Sequence, residues 1–369
     1  MSRRAPALRG AVLVASFTLA LAGCAAPSGA ATTPSPTVSD GRPLAELDLL
    51  TDPRAYVGPS TALLATEAIA PIGDDPVQDL PATVTSRDPG GDRQVTVGDT
   101  SRVIGLDLAG SIAASIWGLG LGETLVGRDT STTFDAAADL PVVTSGGHTI
   151  DAESVLALRP TLIITDGSIG PRDVLTQLRE SGVTVVFVDN EPSFAGASQL
   201  VRDVAAALGV SAAGELLADR IRADVEAEIA EIAAIAPPDP ADRVRMMFLY
   251  LRGGSGIYYL FGEESGSTDL IRGLAGVDVA GEIGWTGMQP MTDEAIIAAN
   301  PDLILVMTDG IESAGGIDEL LRAKPAIALT VAGQNRRFID MADGDILSFG
   351  PRSAAILDAL ARAIYAPAP

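Results

Sequence analysis

Asp151-Ala152-Glu153-Ser154-Val155-Leu156-Ala157-Leu158-Arg159-Pro160 leads into Leu162-Ile163-Ile164-Thr165-Asp166-Gly167. The same pattern returns at Asp293-Glu294-Ala295-Ile296-Ile297-Ala298-Ala299-Asn300-Pro301, which leads into Leu303-Ile304-Leu305-Val306-Met307-Thr308-Asp309-Gly310. In both copies a short amphipathic helix halts before proline, because the pyrrolidine ring disfavours helical geometry in the residue that precedes it. An unbroken apolar run follows, the pattern of a buried strand, and ends in Thr-Asp-Gly. The copies lie too far apart for a solenoid repeat. They fit two similar α/β lobes.

Working outward, further strands are expected at Val103–Leu106, Val183–Val188, Val244–Leu251 and Phe338–Met341, with helices at Ala152–Leu158, Val174–Ser181 and Ile317–Arg322. Such alternation predicts parallel sheets covered by helices on both faces. Ser211 to Ile235 is one long helical pattern, with Leu216, Leu217, Ile221, Val225, Ile229 and Ile232 along one side. It ends at Pro237-Pro238. The expected architecture is two Rossmann-like lobes with parallel-rich central sheets, joined by one long helix. The ligand cleft lies between them, beyond the carboxyl ends of the strands. Residues 43–192 are assigned to the first lobe, with 43–99 packing along it in no defined form. Residues 193–240 form the helical connection and 241–369 the second lobe.

The N-terminus carries Arg3, Arg4 and Arg9, then an apolar run from Ala11 to Ala22, then Leu21-Ala22-Gly23-Cys24. The run is too short to span a bilayer and has the form of a signal-peptide core. Its ending resembles the lipobox of bacterial lipoproteins, which implies that Cys24 is acylated and that residues 1–23 are removed. Ala25 to Arg42 is rich in Ala, Pro, Ser, Thr and Gly, the composition of a flexible tether over 24–42. The expected location is the extracytoplasmic face of the cell membrane, anchored by lipid.

The formal charge is −23 over 369 residues. Loss of the three arginines in 1–23 leaves the mature chain at −26, which argues against a nucleic-acid partner. Cys24 is the only cysteine, so internal disulfides and Cys-ligated metal sites are excluded. Neither a Gly-x-Ser-x-Gly elbow, a P-loop nor a His-Glu-x-x-His motif is present, so a binder is expected rather than an enzyme.

The chain holds one histidine, His148, in the loop Ser145-Gly146-Gly147-His148-Thr149. About a hundred residues later stands Tyr250-Leu251-Arg252-Gly253-Gly254, at the end of a strand-like run. An imidazole and a phenol on separate lobes suggest two axial ligands for ferric iron. A phenol ionises near pH 10 unaided, roughly. Ferric iron and an adjacent cation both favour the phenolate. Residues i and i+2 of a strand face the same side, so Arg252 can lie beside the Tyr250 oxygen.

Arg102-Val103-Ile104-Gly105-Leu106, the segment Gly118-Leu119-Gly120-Leu121-Gly122-Glu123-Thr124-Leu125-Val126-Gly127-Arg128, and the repeated helix–proline–strand unit together resemble the helix-linked substrate-binding proteins of ABC importers. That group takes up cobalamin, ferric siderophores and haem. The resemblance covers roughly residues 102–363. It implies that one glutamate per lobe docks on arginines of the permease, and the matching positions are Glu153 and Glu294. Within the group, manganese or zinc sites need several histidines or carboxylates around one ion, and siderophore sites need no protein imidazole. Haem offers two axial positions for one His and one Tyr.

His148 after two glycines and Tyr250-Leu251-Arg252-Gly253-Gly254 sharpen the match. They resemble the haem-binding lipoproteins of haem ABC importers, the HmuT type. The resemblance implies ferric haem as cargo, His148 and Tyr250 as axial ligands, and Arg252 as partner of Tyr250. It implies as partners the permease and its ATPase, the membrane through the lipid anchor, and haem-donor proteins, with the receptor a monomer. Met307, at a strand end facing the cleft, either packs in the core or supports the haem. Trp285 with Met288 and Met291 is open to the same two readings. Tyr258 and Tyr259, after the turn Gly253–Gly256, are candidates for the porphyrin edge. A ferric siderophore or cobalamin receptor of the same fold, and a non-transport surface module, are the alternatives.

Overall fold

The computed structural model describes residues 35–74, 76–253 and 258–368. The expected signal segment, Cys24, the first part of the tether and residues 254–257, which hold most of the expected turn Gly253–Gly256, lie outside the described residues. Among the described residues no helix is long and apolar enough to cross a membrane.

Two short strands, β1 (Ser35–Val38) and β2 (Ser60–Leu63), precede a hairpin of β3 (Ala82–Ser86) and β4 (Arg93–Val97). The first lobe then runs through β5 (Val103–Leu106), α1 (Ser111–Ile116), β6 (Leu125–Arg128), β7 (Thr144–Ser145) and β8 (Thr149–Ile150). It continues through α2 (Ala152–Ala157), β9 (Leu162–Thr165), α3 (Arg172–Glu180), β10 (Thr184–Phe187) and α4 (Phe194–Ala207). The connecting helix is α5 (Ser211–Ile235).

The second lobe holds β11 (Arg245–Leu251), β12 (Tyr258–Phe261), α6 (Ser267–Gly273), β13 (Val277–Asp278), α7 (Val279–Glu282) and β14 (Met288–Pro290). It ends with α8 (Asp293–Ala299), β15 (Leu303–Met307), α9 (Thr308–Ser313), α10 (Ile317–Ala323), α11 (Pro325–Ala328), α12 (Val331–Gln334), β16 (Phe338–Met341) and α13 (Ser353–Tyr365).

The first lobe carries a four-stranded parallel sheet in the order β10-β9-β5-β6. The second carries β1-β2-β16-β15-β11-β12-β14, with β13 also against β11. Its strands are parallel except where β12 runs antiparallel to β11 and β14. These are the parallel-rich α/β lobes that the strand–helix alternation predicts.

The N-terminal segment departs from expectation. Residues 43–99 were assigned to the first lobe, and 24–42 wholly to a tether. Instead β1 pairs with β2, and β2 pairs with β16, so Ser35–Val38 and Ser60–Leu63 extend the second lobe's sheet. Arg337, 1% exposed, clamps this junction. Its guanidinium donates to Ser60 Oγ at 3.0 Å, Gly58 O at 3.3 Å and Ala363 O at 2.7 Å, and it lies 4.5 Å from the Tyr56 ring centre. The stretch that follows β2 does join the first lobe: the Ile72 N–H donates to Gly118 O at 2.8 Å, the Trp117 indole N–H to Ile69 O at 3.1 Å, and, from the β3–β4 hairpin, Ser86 Oγ accepts the Phe187 N–H at 2.8 Å. Four-residue strands whose partner lies some 280 positions away leave no local signature, because pairing is decided by a long-range fit.

The strand faces sort the core. Met246 and Phe248 of β11, Leu303 and Leu305 of β15, and Ile339 of β16 join one large apolar cluster with Val103, Leu162 and Val186 of the first sheet. Helices α4, α5 and α13 fill the space between. Alternate residues of the second sheet (Met247, Leu249, Ile304, Val306) pack in a separate cluster behind it, and Ile104, Ile163 and Val185 do so behind the first. Helix α5 buries Leu217, Ile221, Val225 and Ile232, while Leu216, expected in that stripe, is exposed. It lies one position off the face set by the other four.

Candidate functional site

The two copies of the repeated unit agree position by position. Asp151 and Thr292 cap their helices by accepting the N–H of Ser154 at 3.0 Å and Ala295 at 3.2 Å. Val155 and Ile296 are fully buried, and Arg159 and Asn300 both turn the chain with positive φ, at 48° and 41°, ahead of a buried proline. Each helix therefore returns the chain to the start of a parallel strand and stands its own first turn at the strands' carboxyl end. Glu153 and Glu294 are exposed there.

His148 is delivered by the β7–β8 hairpin. Its three-residue loop places Gly146 at φ 55° and Gly147 at φ 93°, a region that side chains with a Cβ avoid. The hairpin is pinned behind: the Gly170 N–H donates to His148 O at 3.3 Å, and the Ile150 N–H to Gly170 O at 2.6 Å. The imidazole Nδ1 is buried and has no hydrogen-bond partner among the described residues. Burial, and then the positive charge of Arg252, hold the His148 pKa below its ordinary value. Both effects favour the neutral ring, the form that binds a metal. Arg252 belongs to the other lobe, so the fold brings the histidine loop and the end of β11 within electrostatic reach of each other.

Phe248 and Tyr250 share one face of β11, as the period-two alternation requires, and Arg252 follows one residue past the strand's end. The Arg252 Nε donates to the Tyr250 hydroxyl oxygen at 2.5 Å. Phe248 and Phe261 stack at 5.1 Å between ring centres, and Tyr250 stacks on Phe261 at 5.8 Å and 21°. The phenol is therefore held by rings beneath it and by a cation beside it. Tyr259 is directly opposite Tyr250 in the β11–β12 register, with ring centres 6.4 Å apart. The β11–β15 register runs to Leu249↔Val306, so the next step sets Met307 beside Tyr250, partly buried against the large cluster.

Two candidates stand elsewhere. Tyr258 pairs with Leu251 and therefore points to the reverse face of the sheet, where it is 3% exposed. Its hydroxyl donates to Asp293 at 2.8 Å and its ring lies 5.1 Å from the Lys324 ammonium, so it anchors α8 and is a core residue, not a porphyrin contact. Burial, then the bond to Asp293, push its pKa up. Trp285 packs against the same rear cluster and donates its indole N–H to Leu260 O at 3.2 Å. A shift of one residue along a strand exchanges the faces, and the turn before Tyr258 hid that parity in the sequence.

Sequence reasoning missed Phe261, whose i, i+2 spacing from Tyr259 was the available signal. It also missed Asp343, which accepts the Asp309 N–H at 3.0 Å. Burial pushes the Asp343 pKa up, and the charge of Arg252 opposes that. Nothing in the local sequence marks it. Among the described residues no group of three or more His, Cys, Asp or Glu is arranged to hold a metal ion.

Residues 108–343 match the family described as periplasmic binding protein. The heme binding protein HmuT, in its crystal structure, is 40% identical, with a TM-score of 0.79 over 86% of this chain and 100% of that one. Further solved forms of that protein replace by alanine a histidine, a tyrosine and an arginine, the last two standing two positions apart. The periplasmic heme-binding protein RhuT from Roseiflexus sp. RS-1, in apo form, is 37% identical with a TM-score of 0.64, over 72% of this chain and 98% of that one. An uncharacterized ABC transporter substrate-binding lipoprotein, YvrC of Bacillus subtilis (strain 168), is 26% identical over 68% of this chain and 76% of that protein.

Proposed function

The protein belongs to the periplasmic binding protein family, and we propose that it captures ferric haem in the cleft between its lobes and delivers it to the permease and ATPase of an ABC importer. In this reading Cys24 carries the lipid that holds the receptor at the extracytoplasmic face of the membrane. Glu153 and Glu294 meet the permease. The observation that carries the proposal is the arrangement of Arg252, bonded to the Tyr250 oxygen at 2.5 Å and acting by its charge on His148 of the opposite lobe. The similarity to heme-binding proteins across 86% of the chain supports it.

His148 supplies a neutral nitrogen from one side of a flat macrocycle, and Tyr250 an oxygen from the other. Iron would supply the Lewis acidity that draws the proton from the phenol. Arg252 steadies the resulting charge, and an anionic oxygen favours Fe(III) over Fe(II). The stack of Phe248, Phe261 and Tyr250 fixes where that oxygen stands, so little ordering is left for the moment of binding. Met307, beside Tyr250, offers a polarisable apolar contact from the same side.

Titration with haemin, followed in the Soret region, tests the reading. A single saturable complex is expected, with its spectrum altered by Tyr250→Phe and by His148→Ala. An equimolar ferric siderophore should not displace haemin. Absence of a complex, or displacement by the siderophore, would overturn it.

A further inference from the structure

The repeated unit carries a feature beyond its paired glutamates. One turn after Glu153 stands Leu156, 41% exposed, and one turn after Glu294 stands Ile297, 43% exposed. Ala157 and Ala298, the next residues, are exposed as well. A lone surface aliphatic needs no explanation. Here the same chemistry recurs at the same helical position in both lobes, on helices whose buried residues, Val155 and Ile296, join the separate rear clusters of the two sheets. Residues i and i+3 share one helix face, so each helix presents a carboxylate and an aliphatic side chain together. Both first turns stand at the carboxyl ends of the strands, on the rim of the cleft. On α8 the orientation is fixed further by the bond from Tyr258 to Asp293.

We propose that Leu156 and Ile297 complete two equivalent amphipathic stripes, Glu153–Leu156 and Glu294–Ile297, which dock on a pair of like surfaces of the permease, each basic with an apolar patch beside the basic group. The inference rests on the docking of Glu153 and Glu294 proposed above. Charge complementarity selects the basic partner, and the repetition of one pattern on two lobes selects a partner built of two equivalent halves. The two components of the contact differ in their response to salt. Exposed ion pairs are screened, whereas apolar burial is not weakened by moderate salt.

The test measures binding of the Cys24→Ser protein, which has no lipid to enter the bilayer, to the permease–ATPase complex in nanodiscs, at low and high salt. Leu156→Gln with Ile297→Gln should weaken the complex about tenfold at both salt concentrations, a difference of about 1.4 kcal/mol. Each single change should cost a similar part of that factor. Glu153→Gln with Glu294→Gln should weaken it at low salt and flatten its salt dependence. Haemin titration and thermal melting should be unchanged in every variant, which separates docking from folding. Wild-type binding by the Leu156→Gln and Ile297→Gln pair, with loss in the glutamate pair, would refute the apolar stripe and leave the docking glutamates standing. Wild-type binding by both pairs would refute the docking reading itself. A loss confined to one lobe's variant would refute the equivalence.

Discussion

The Arg252 Nε lies 2.5 Å from the Tyr250 hydroxyl oxygen, and the guanidinium carbon of Arg252 is 5.4 Å from the centre of that same ring. One cation therefore reaches both the oxygen and the π-face of a single phenol. A planar, forked guanidinium suits that geometry, and a lysine ammonium offers only a point charge. A hydrogen bond to a charged group contributes about 1.5–3 kcal/mol, so Arg252→Ala should weaken haemin binding by roughly ten- to a hundredfold. Arg252→Lys should recover part of that loss. Equilibrium titration of the three proteins checks both statements, and melting temperatures should stay together.

Gly253 has no room for a side chain. A Cβ there would lie 1.6 Å from the carbonyl oxygen of Ser313, while the Gly253 N–H already donates to Ser313 Oγ at 2.9 Å. Gly253→Ala must push the end of β11 away from α9 and carry Arg252 with it. Haemin binding should fall nearly as far as in Arg252→Ala. Combining the two changes should add little, because both act through the same hydrogen bond. Strict additivity in the double variant would show that Gly253 acts elsewhere.

Arg337 predicts a stability effect remote from the cleft. Burial lowers its pKa to about 10, and its two terminal nitrogens donate to carbonyl and hydroxyl oxygens of the N-terminal segment and α13. Arg337→Leu strands those acceptors, each loss costing about 1–3 kcal/mol. Denaturant unfolding should show a total on the order of 3 kcal/mol, and amide exchange should quicken first in β1 and β2. The Soret spectrum of the haemin complex should not move.

Glu228 on α5 gives a pH prediction. Burial, then the charges of Asp358 and Glu231, push its pKa up to about 7, with Arg362 opposing. The folded state therefore holds this proton more tightly than the unfolded chain. Its stabilising contribution is complete below the ordinary value of 4.5 and is lost as the pH rises through about 7. Glu228→Gln should remove that slope and leave the variant more stable than wild type at pH 8, by on the order of 1 kcal/mol once solvent screening is discounted. Melting temperatures measured at pH 5 and pH 8 decide it.

Much of this was written locally. The duplicated helix–proline–strand unit announced two lobes because each copy carries its own cap, its own buried face and its own proline stop. The pairing of Tyr250 with Arg252 was legible because strand alternation fixes which side chains share a face. Strand parity across the glycine-rich stretch before Tyr258 is not legible, so Tyr258, a candidate for the porphyrin edge, packs behind the sheet, and Trp285, open to either reading, packs there too. Nor did anything in Ser60–Leu63 name β16 as its partner. Those outcomes are decided by which distant backbone edge is free to accept four residues, and by a clamp, Arg337, that sits far along the chain.

The unbroken apolar core that passes from the first sheet through the crossing helices to the second has a mechanical corollary. Prising the halves widely apart would wet that interior, at about 25 cal/mol for every Å² uncovered. Wide opening is therefore costly, and the function proposed above predicts nearly the same outline for the haem-loaded and the haem-free protein. On that function, a permease that tells the two apart has to read the rim of the cleft itself.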